Sequence, residues 1–407
     1  MNENNLECMC KNVDIYAQDS FVGIKCEEGK INVIFPMGYQ IGKGNDVIRR
    51  NILSLMQVLS EFTDRTDSEW KKESKEDITG FPIFSYLYVI RNYLMNGYYV
   101  EKEIKYNVAK RGKINWNRTI KTQKPYPSNN GFVYLDFVVK DNSINQNELI
   151  TLVHEACVYR CFQKMGWLYT SYMPAKPRLD FDKRLFETVV KQHMSQTFDD
   201  KKRELFGHLL NVINEESNEK IVSDFTFGTS RFEYVWENMI DYMFGIENKE
   251  DYFPHSNWHL KGTDKGNSAL EPDTIMIKDG IAYILDAKYY KYGVTGIPAH
   301  LPATESIAKQ IIYAEYIERN KMTDDMGNVL KTYNAFIMPF SKDGKYFKTT
   351  KNYKYVGYAD AEWKEFENDY EHVEGILLDI NYIMDNCLYH SRTDIQELSQ
   401  LILDSFE

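Results

Sequence analysis

The sequence has 407 residues, of which 43% are hydrophobic and 27% charged, so it holds enough apolar material for two or three domains with cores. No run is apolar enough to span a membrane, and no tract has the composition of a disordered segment. The net charge of −11 argues against general coating of nucleic acid, although a nuclease needs only local basic patches.

The six cysteines follow a polar, acidic start that does not resemble a signal peptide. We therefore expect reduced thiols and a cytoplasmic location.

The N-terminal region is predicted to contain short strands followed by helices. The strands are expected at 14–17, 21–25 and 31–35, an amphipathic helix at 46–63 and an apolar helix at 81–96. Gly42-Lys43 lies in a glycine-rich loop, but Gly44 follows the lysine where a phosphate-binding loop needs Ser or Thr. An NTP site is therefore not expected here.

Residues 110–124 carry six cations and no acid in a chain that is acidic overall. Cations attract phosphates or an acidic protein surface, and an interleaved aromatic adds stacking. The candidates for contact with DNA or a protein partner are Arg111, Lys113, Trp116 and Arg118. The alternative is a solvated strand edge, where lysines discourage aberrant pairing.

A Pro-rich segment at 173–177 predicts a boundary between an N-terminal α+β domain, 1–175, and a second domain, 176–407. Helices are expected at 184–196, 199–214 and 231–244. In the last of these, Glu233 and Glu237 lie one turn apart on one face. Residues 251–269 are expected to be irregular.

Residues 271–288 predict a β-hairpin, because Asp279-Gly280 joins two apolar runs and suits a type I′ turn. That turn places Asp273 opposite Asp286. Lys288 lies two residues beyond Asp286 and therefore points to the same face. Two carboxylates and an ammonium should converge at the open end of the hairpin.

This constellation indicates phosphodiester hydrolysis. Opposed carboxylates repel each other, and a divalent cation offsets that cost. Mg²⁺ prefers one or two carboxylates together with water and phosphate oxygens, and a neighbouring lysine suits a phosphate or an attacking water. The alternative is a surface hairpin with an ordinary ion pair.

After the hairpin, 289–304 is expected to be a loop beside the cleft. A helix follows at 305–319, in which Gln310 lies on the core-facing side, where a buried amide needs a partner. Strands are expected at 334–339, 353–358 and 375–384, and a helix at 392–406.

Pro272-Asp273 and Asp286-Ala287-Lys288 resemble the PD-(D/E)xK nuclease motif. Together with the stretches 111–116, 232–237 and 286–290, they resemble LlaJI-type restriction endonucleases, which are similar to McrC, the nuclease subunit of McrBC-type systems. The resemblance implies a mixed α/β chain, with an α+β docking domain before a nuclease domain whose central mixed sheet is flanked by helices.

The resemblance also implies roles for individual residues. Mg²⁺, which Mn²⁺ can replace, would be held by Asp273, Asp286, the Ala287 carbonyl and a helix acid, with Glu233 preferred and Glu237 second. The catalytic set would add Lys288 and Gln310. Related nucleases place a tyrosine four residues after this glutamine, whereas here Tyr313 is three residues on and Ala314 four.

The implied partners are double-stranded DNA and an McrB-like AAA+ GTPase, which alone would bind GTP. The N-terminal domain would dock into the motor ring and stimulate GTP hydrolysis. Two alternatives remain: a stand-alone repair or junction nuclease, and a non-cutting activator of the motor.

Overall fold

The computed structural model describes residues 6–17, 20–63, 81–129, 131–144, 148–216, 224–324, 326–364, 367–389 and 391–406. It confirms the mixed α/β class. The strands are β1 Cys10–Asn12, β2 Val22–Glu27, β3 Lys30–Phe35, β4 Lys102–Ala109, β5 Lys113–Ile114, β6 Tyr126–Ser128, β7 Gly131–Val133, β8 Phe137–Ile144, β9 Phe225–Thr229, β10 Asn257–Leu260, β11 Thr263–Gly266, β12 Thr274–Lys278, β13 Ile281–Ala287, β14 Lys331–Phe340, β15 Tyr353–Ala359 and β16 Val373–Asp379.

The helices alternate with these strands along the chain. They are α1 Asn45–Thr63, α2 Ile83–Asn96, α3 Trp116–Thr122, α4 Leu149–Met165, α5 Lys183–Gln196, α6 Asp200–Glu215, α7 Phe232–Phe244, α8 Tyr292–Thr295, α9 Thr304–Arg319, α10 Ile380–Asn386 and α11 Arg392–Leu403. Within the described ranges, none of them combines the length and apolarity that a bilayer crossing requires.

The described residues fall into two compact units, one within 81–223 and the other within 5–80 and 224–407. This division differs from the predicted boundary at 175/176. The physical reason is strand pairing: β9 pairs antiparallel with β2, and both belong to a four-stranded sheet of order β1-β3-β2-β9. The N-terminal strands therefore complete the fold of the C-terminal half, and 81–223 is an insertion.

The inserted unit packs α2 against α4 and α6 beside a three-stranded sheet of order β4-β8-β5. Its interior contains a buried ionic network around Glu216. Lys164 Nζ lies 2.9 Å from one carboxylate oxygen of Glu216, and the Tyr86 hydroxyl donates to the same oxygen at 2.7 Å. Because the buried charges are paired, their desolvation is compensated.

The second unit is built on a five-stranded sheet of order β12-β13-β14-β16-β15. The three central strands are parallel and both edge strands are antiparallel. Helix α7 packs on β12 and β13, and α9 packs on β13, β14 and β16. The core between sheet and α9 includes Ile284, Ile311, Ala314, Phe336 and Met338.

The predicted hairpin is confirmed in its turn and in its register. Asp279 and Gly280 both have positive φ, at 51° and 74°, as a type I′ turn requires. Lys278 pairs with Ile281, and the ladder runs to Thr274 opposite Leu285. One position further on, Asp273 and Asp286 lie opposite each other.

Three local predictions were wrong. Residues 14–17 form a turn rather than a strand, because the Asp14 carboxylate accepts a hydrogen bond from the Tyr16 amide at 2.9 Å. The strand predicted at 375–384 ends at Asp379, whose carboxylate caps α10 by accepting from the Tyr382 amide. The segment 251–269 contains the paired strands β10 and β11.

Glu374 gives the second unit a predicted dependence of stability on pH. Its side chain is 1% exposed, and burial raises its pKa from 4.5 to about 7, against hydrogen bonds from Tyr355 and Ser405 that lower it. The folded protein therefore binds this proton more tightly than the unfolded chain, so stability falls as pH rises from about 4.5 to about 7.

In the wild type we expect the free energy of unfolding to fall by about 1–2 kcal/mol across that pH range. Glu374→Gln should not show this decrease, because glutamine carries no charge to desolvate. Urea unfolding at about pH 5 and about pH 8 measures this difference. The exposed Glu362→Gln is the control and should unfold like the wild type at both pH values. Equal pH dependence in Glu374→Gln and wild type would contradict the assignment.

Candidate active site

The hairpin brings Asp273, Asp286 and Lys288 together at its open end, as the sequence predicted. Lys288 Nζ donates to Asp286 Oδ1 at 2.8 Å and lies 3.7 Å from Asp273 Oδ2. Asp286 is 7% exposed, and the side chains of Asp273 and Lys288 are about four-fifths buried. Alternation along β13 places Asp286 on the face of Ala282 and Ile284, which pack in the α9 core.

Backbone groups and a second lysine hold Asp273 in place. The Ala287 amide donates to Asp273 Oδ2 at 3.0 Å, which ties the carboxylate to β13. Lys249 Nζ donates to the Asp273 carbonyl at 2.6 Å and pairs with Asp241 of α7 at 2.8 Å. Lys249 lies two residues before the segment 251–269. Its contact with Asp273 was not predicted from the sequence, since a single lysine in a mixed-charge stretch gives no signal.

The charged groups of this cluster shift one another's pKa values. Burial raises the pKa of Asp273 well above its usual value, and the neighbouring Asp286 carboxylate raises it further, against Lys288. For Lys288, burial lowers the pKa, but the attraction of Asp273 and Asp286 outweighs burial and raises it overall. The ammonium therefore stays charged.

Of the two candidate acids on α7, Glu237 is the one whose pKa responds to Lys288 and Asp286, whereas the sequence ranked Glu233 first. Burial raises the pKa of Glu237 to about 7, with Lys288 lowering it and Asp286 raising it, so this acid interacts with both. Glu233 instead forms a 3.4 Å ion pair with Arg231. The two acids lie one helical turn apart on α7. The position of α7 on the sheet is fixed by Trp236, whose indole nitrogen donates to the Ile337 carbonyl at 3.3 Å.

A matched pair of variants tests the choice between these two acids. We expect Glu237→Gln to lower DNA cleavage by about 10–100-fold, the usual cost of losing a group that supports metal ligands. Glu233→Gln removes the same charge one turn away and should stay within about threefold of wild type. Initial cleavage rates across a Mg²⁺ titration measure both variants. A larger loss in Glu233→Gln would restore the original ranking.

Helix α9 contributes Gln310 and Tyr313. Gln310 is fully buried, and neither atom of its amide has a hydrogen-bond partner among the described residues. Tyr313 lies three residues on, and burial raises its pKa to about 12, with Asp286 and Asp273 raising it further. The tyrosine is therefore in electrostatic reach of both hairpin acids, a position that the sequence noted only as a departure in spacing.

The residues present fit one hard divalent cation. The pKa values of Asp273 and Glu237 are raised despite Lys288, so one ammonium does not offset these acids, and a divalent cation would favour their charged forms. Within the described ranges, no three His, Cys, Asp or Glu side chains are grouped closely enough to hold a metal ion by themselves. Mg²⁺ does not require such a group, because it commonly keeps several waters and takes only one or two carboxylates.

The basic stretch belongs to the inserted unit and contains β5 and α3, a helix that was not predicted. Asn115 caps α3 by accepting from the Arg118 amide at 3.1 Å, and the Arg118 guanidinium lies 3.8 Å from the centre of the Tyr106 ring. Trp116 is 54% exposed and packs edge-on against Phe137. Arg111 and Lys113 are also exposed.

One protein-family model matches most of the chain. Residues 21–364 match the model described as LlaJI restriction endonuclease. The chain belongs to this family. A relative from Bacillus subtilis (strain 168), the Type II restriction enzyme BsuMI component YdjA, is 26% identical over 277 residues. The match covers 62% of the chain and 57% of that relative, so the chain spans less than two thirds of its length.

Two solved assemblies from Thermococcus gammatolerans also resemble this LlaJI-family chain. One is a half-complex of McrB AAA+ hexamers with bound McrC, at 13% identity, with 96% of this chain and 86% of that chain covered and a TM-score of 0.36. The other is an McrBC complex, at 14% identity, with 54% and 64% covered and a TM-score of 0.21. Both TM-scores lie below 0.5.

Proposed function

We propose that this chain is the endonuclease subunit of a restriction system and that it hydrolyses phosphodiester bonds of double-stranded DNA with Mg²⁺. The observation that supports the proposal most is the convergence of Asp273, Asp286 and Lys288 at the open end of one hairpin. Membership of the LlaJI restriction endonuclease family agrees with it.

In this proposal Asp273, Asp286 and the Ala287 carbonyl hold the ion, with Glu237 as the helix acid in place of Glu233. The bound ion would lower the pKa of a water and offset charge on the phosphate. Lys288 keeps its proton, because Asp273 and Asp286 raise its pKa, and so stabilises the negative charge that develops on the phosphate. Lys249 holds the Asp273 backbone so that the carboxylate keeps its direction.

We further propose that Tyr313 and Gln310 form the α9 wall of the site. The buried, unpartnered amide of Gln310 costs free energy unless a water or a substrate group satisfies it. This supports a polar occupant on the α9 side of the hairpin. The spacing of three residues between the two side chains places them on the same side of the helix.

A partner role is proposed for the inserted unit. Arg111, Lys113, Trp116 and Arg118 would contact an McrB-like AAA+ GTPase, with DNA as the alternative partner. Exposed apolar side chains in the same region, Ile120 and Phe132 among them, favour protein over DNA. GTP would then bind only to the motor, and docking would stimulate its hydrolysis.

The experiment is a reconstitution of this chain with an McrB-like AAA+ GTPase from the same organism. Plasmid cleavage is measured with both proteins, GTP and Mg²⁺, and again with each component left out. The proposal predicts cleavage only in the complete mixture and GTP hydrolysis that rises when this chain is added. Cleavage without GTP and motor would favour a stand-alone nuclease. Stimulated GTP hydrolysis without any cleavage would favour a non-cutting activator.

A further inference from the structure

The strands β10 and β11 form a two-stranded ribbon on the second unit. Its four cross-strand pairs run from Asn257 opposite Gly266 to Leu260 opposite Thr263. Every residue from 255 to 268 is exposed, including Trp258 at 60%. Isolated two-stranded ribbons are at best marginally stable in water. An exposed ribbon that carries a large aromatic side chain is therefore a candidate for binding another molecule.

The two legs of the ribbon are joined at a base that lies close in the chain to Asp273. At the base, the Leu270 amide donates to the Pro254 carbonyl and the Asn267 amide to the Ser256 carbonyl, both at 2.9 Å. The chain entering the ribbon is held by Lys249, which bonds the Asp273 carbonyl. Leu270 precedes Asp273 by three residues, so their Cα atoms lie within about 11 Å.

The ribbon is long enough to reach a nucleic-acid groove from that base. Seven residues separate Pro254 from Lys261 at the tip, which corresponds to about 23 Å of strand. The major groove of B-DNA is about 12 Å wide and admits a two-stranded β-ribbon. The ribbon therefore begins close to the candidate site along the chain and has the size that groove binding requires.

One face of the ribbon suits a phosphate-rich surface. Alternation places Trp258 and Leu260 on the same face as their cross-strand partners Lys265 and Thr263, and Lys261 follows at the tip. That face has no acid. Asp264 lies on the opposite face, where it contacts His259 at 3.1 Å. Two lysines beside an aromatic and an aliphatic side chain are complementary to a duplex, whose backbone is anionic and whose groove is partly apolar.

We propose that the ribbon 254–270 binds double-stranded DNA and positions the duplex over Asp273 and Asp286. This inference rests on the proposed nuclease function and names a substrate-contacting element for it. Lys261 and Lys265 contact phosphates on either side of the groove, and Trp258 enters the groove. The rest of the chain, with its net negative charge, would then meet DNA chiefly at this point.

The test measures duplex binding by the full-length chain carrying Asp286→Asn, which prevents cleavage. Fluorescence anisotropy gives the dissociation constant between about 50 and 200 mM salt. Adding Lys261→Gln and Lys265→Gln should weaken binding about tenfold or more at low salt. The slope of log affinity against log salt should fall by about 2, because each neutralised phosphate contributes about 0.9.

The matched control is Lys30→Gln with Lys351→Gln, which removes the same charge from two other exposed positions of this unit. The control should keep the parent slope. Equal slopes in the ribbon variant and its parent would overturn the proposal, as would a parent that binds no duplex at any salt. Loss of motor association with unchanged DNA binding would overturn it too and assign the ribbon to the protein partner.

The binding measurement, combined with the cleavage assay of the wild-type chain, separates this inference from the proposed function. If the wild-type chain cleaves DNA but the ribbon variant keeps the salt slope of its parent, the nuclease function stands and the ribbon assignment fails. If DNA binding depends on the ribbon but the wild-type chain never cleaves with Mg²⁺, GTP and motor, the ribbon assignment stands and the nuclease function fails.

Discussion

Asp286→Asn is expected to reduce DNA cleavage by about 10³-fold or more, because a metal-held phosphate gains several kcal/mol of charge stabilisation that a neutral amide cannot support. Asp286 is nearly buried, bonded to Lys288 and opposed to Asp273, so it is central to the negative charge of the cluster. Asparagine has almost the same volume, and the fold should therefore be preserved. Plasmid cleavage in the reconstituted mixture measures the rate, and co-purification measures motor binding.

The control for this variant lies on the same hairpin. Asp279→Asn removes one carboxylate at the exposed turn, where the positive φ also suits asparagine. It should cleave at the wild-type rate. If Asp286→Asn cleaves like Asp279→Asn, the hairpin end is not the active site. If Asp286→Asn no longer binds the motor, its effect is structural and the assignment also fails.

Lys288→Gln is expected to lower the cleavage rate at saturating Mg²⁺ by about 10²–10³-fold, the usual cost of removing a group that stabilises transition-state charge. The same change should not weaken metal binding. Lys288 competes with a cation for Asp273 and Asp286, so its removal should lower the Mg²⁺ concentration needed for half-maximal cleavage. Rates across a Mg²⁺ titration separate the two effects.

Lys278→Gln provides the matched comparison, because Lys278 has nearly the same exposure and pairs with Asp279 at the far end of the hairpin. Its rate and its Mg²⁺ requirement should equal those of wild type. A Lys288→Gln protein that needs more Mg²⁺ but reaches the full rate would show a role in assembling the site, and the assigned catalytic role would then be wrong.

The hairpin could be predicted because its determinants are local. Asp279-Gly280 supplies both positive φ angles of the turn, and that turn sets the register along the whole ladder. The opposed aspartates and Lys288 then follow from the twofold alternation of strands. The long amphipathic helices were likewise predictable to within a few residues, since their apolar stripes have a clear period.

The parts that were missed depend on contacts distant in sequence. Glu233 and Glu237 are equivalent on an isolated helix, and the proposed choice of Glu237 depends on how α7 packs on the sheet. The division into two units differs from the predicted boundary because β2 pairs with β9, about 200 residues away in the chain. The ribbon was missed because its two strands have only four residues each and contain only two large apolar side chains, Trp258 and Leu260.

The central claim is that Asp273 and Asp286 hold a divalent cation, and Mn²⁺ binding measured by electron paramagnetic resonance tests it most directly. Free Mn²⁺ is titrated against the full-length wild-type chain, Asp286→Asn and the control Asp279→Asn. The account predicts a Mn²⁺ site in wild type and in Asp279→Asn that Mg²⁺ displaces, and its loss in Asp286→Asn. Equal Mn²⁺ binding in all three proteins, or no binding by wild type, would contradict it.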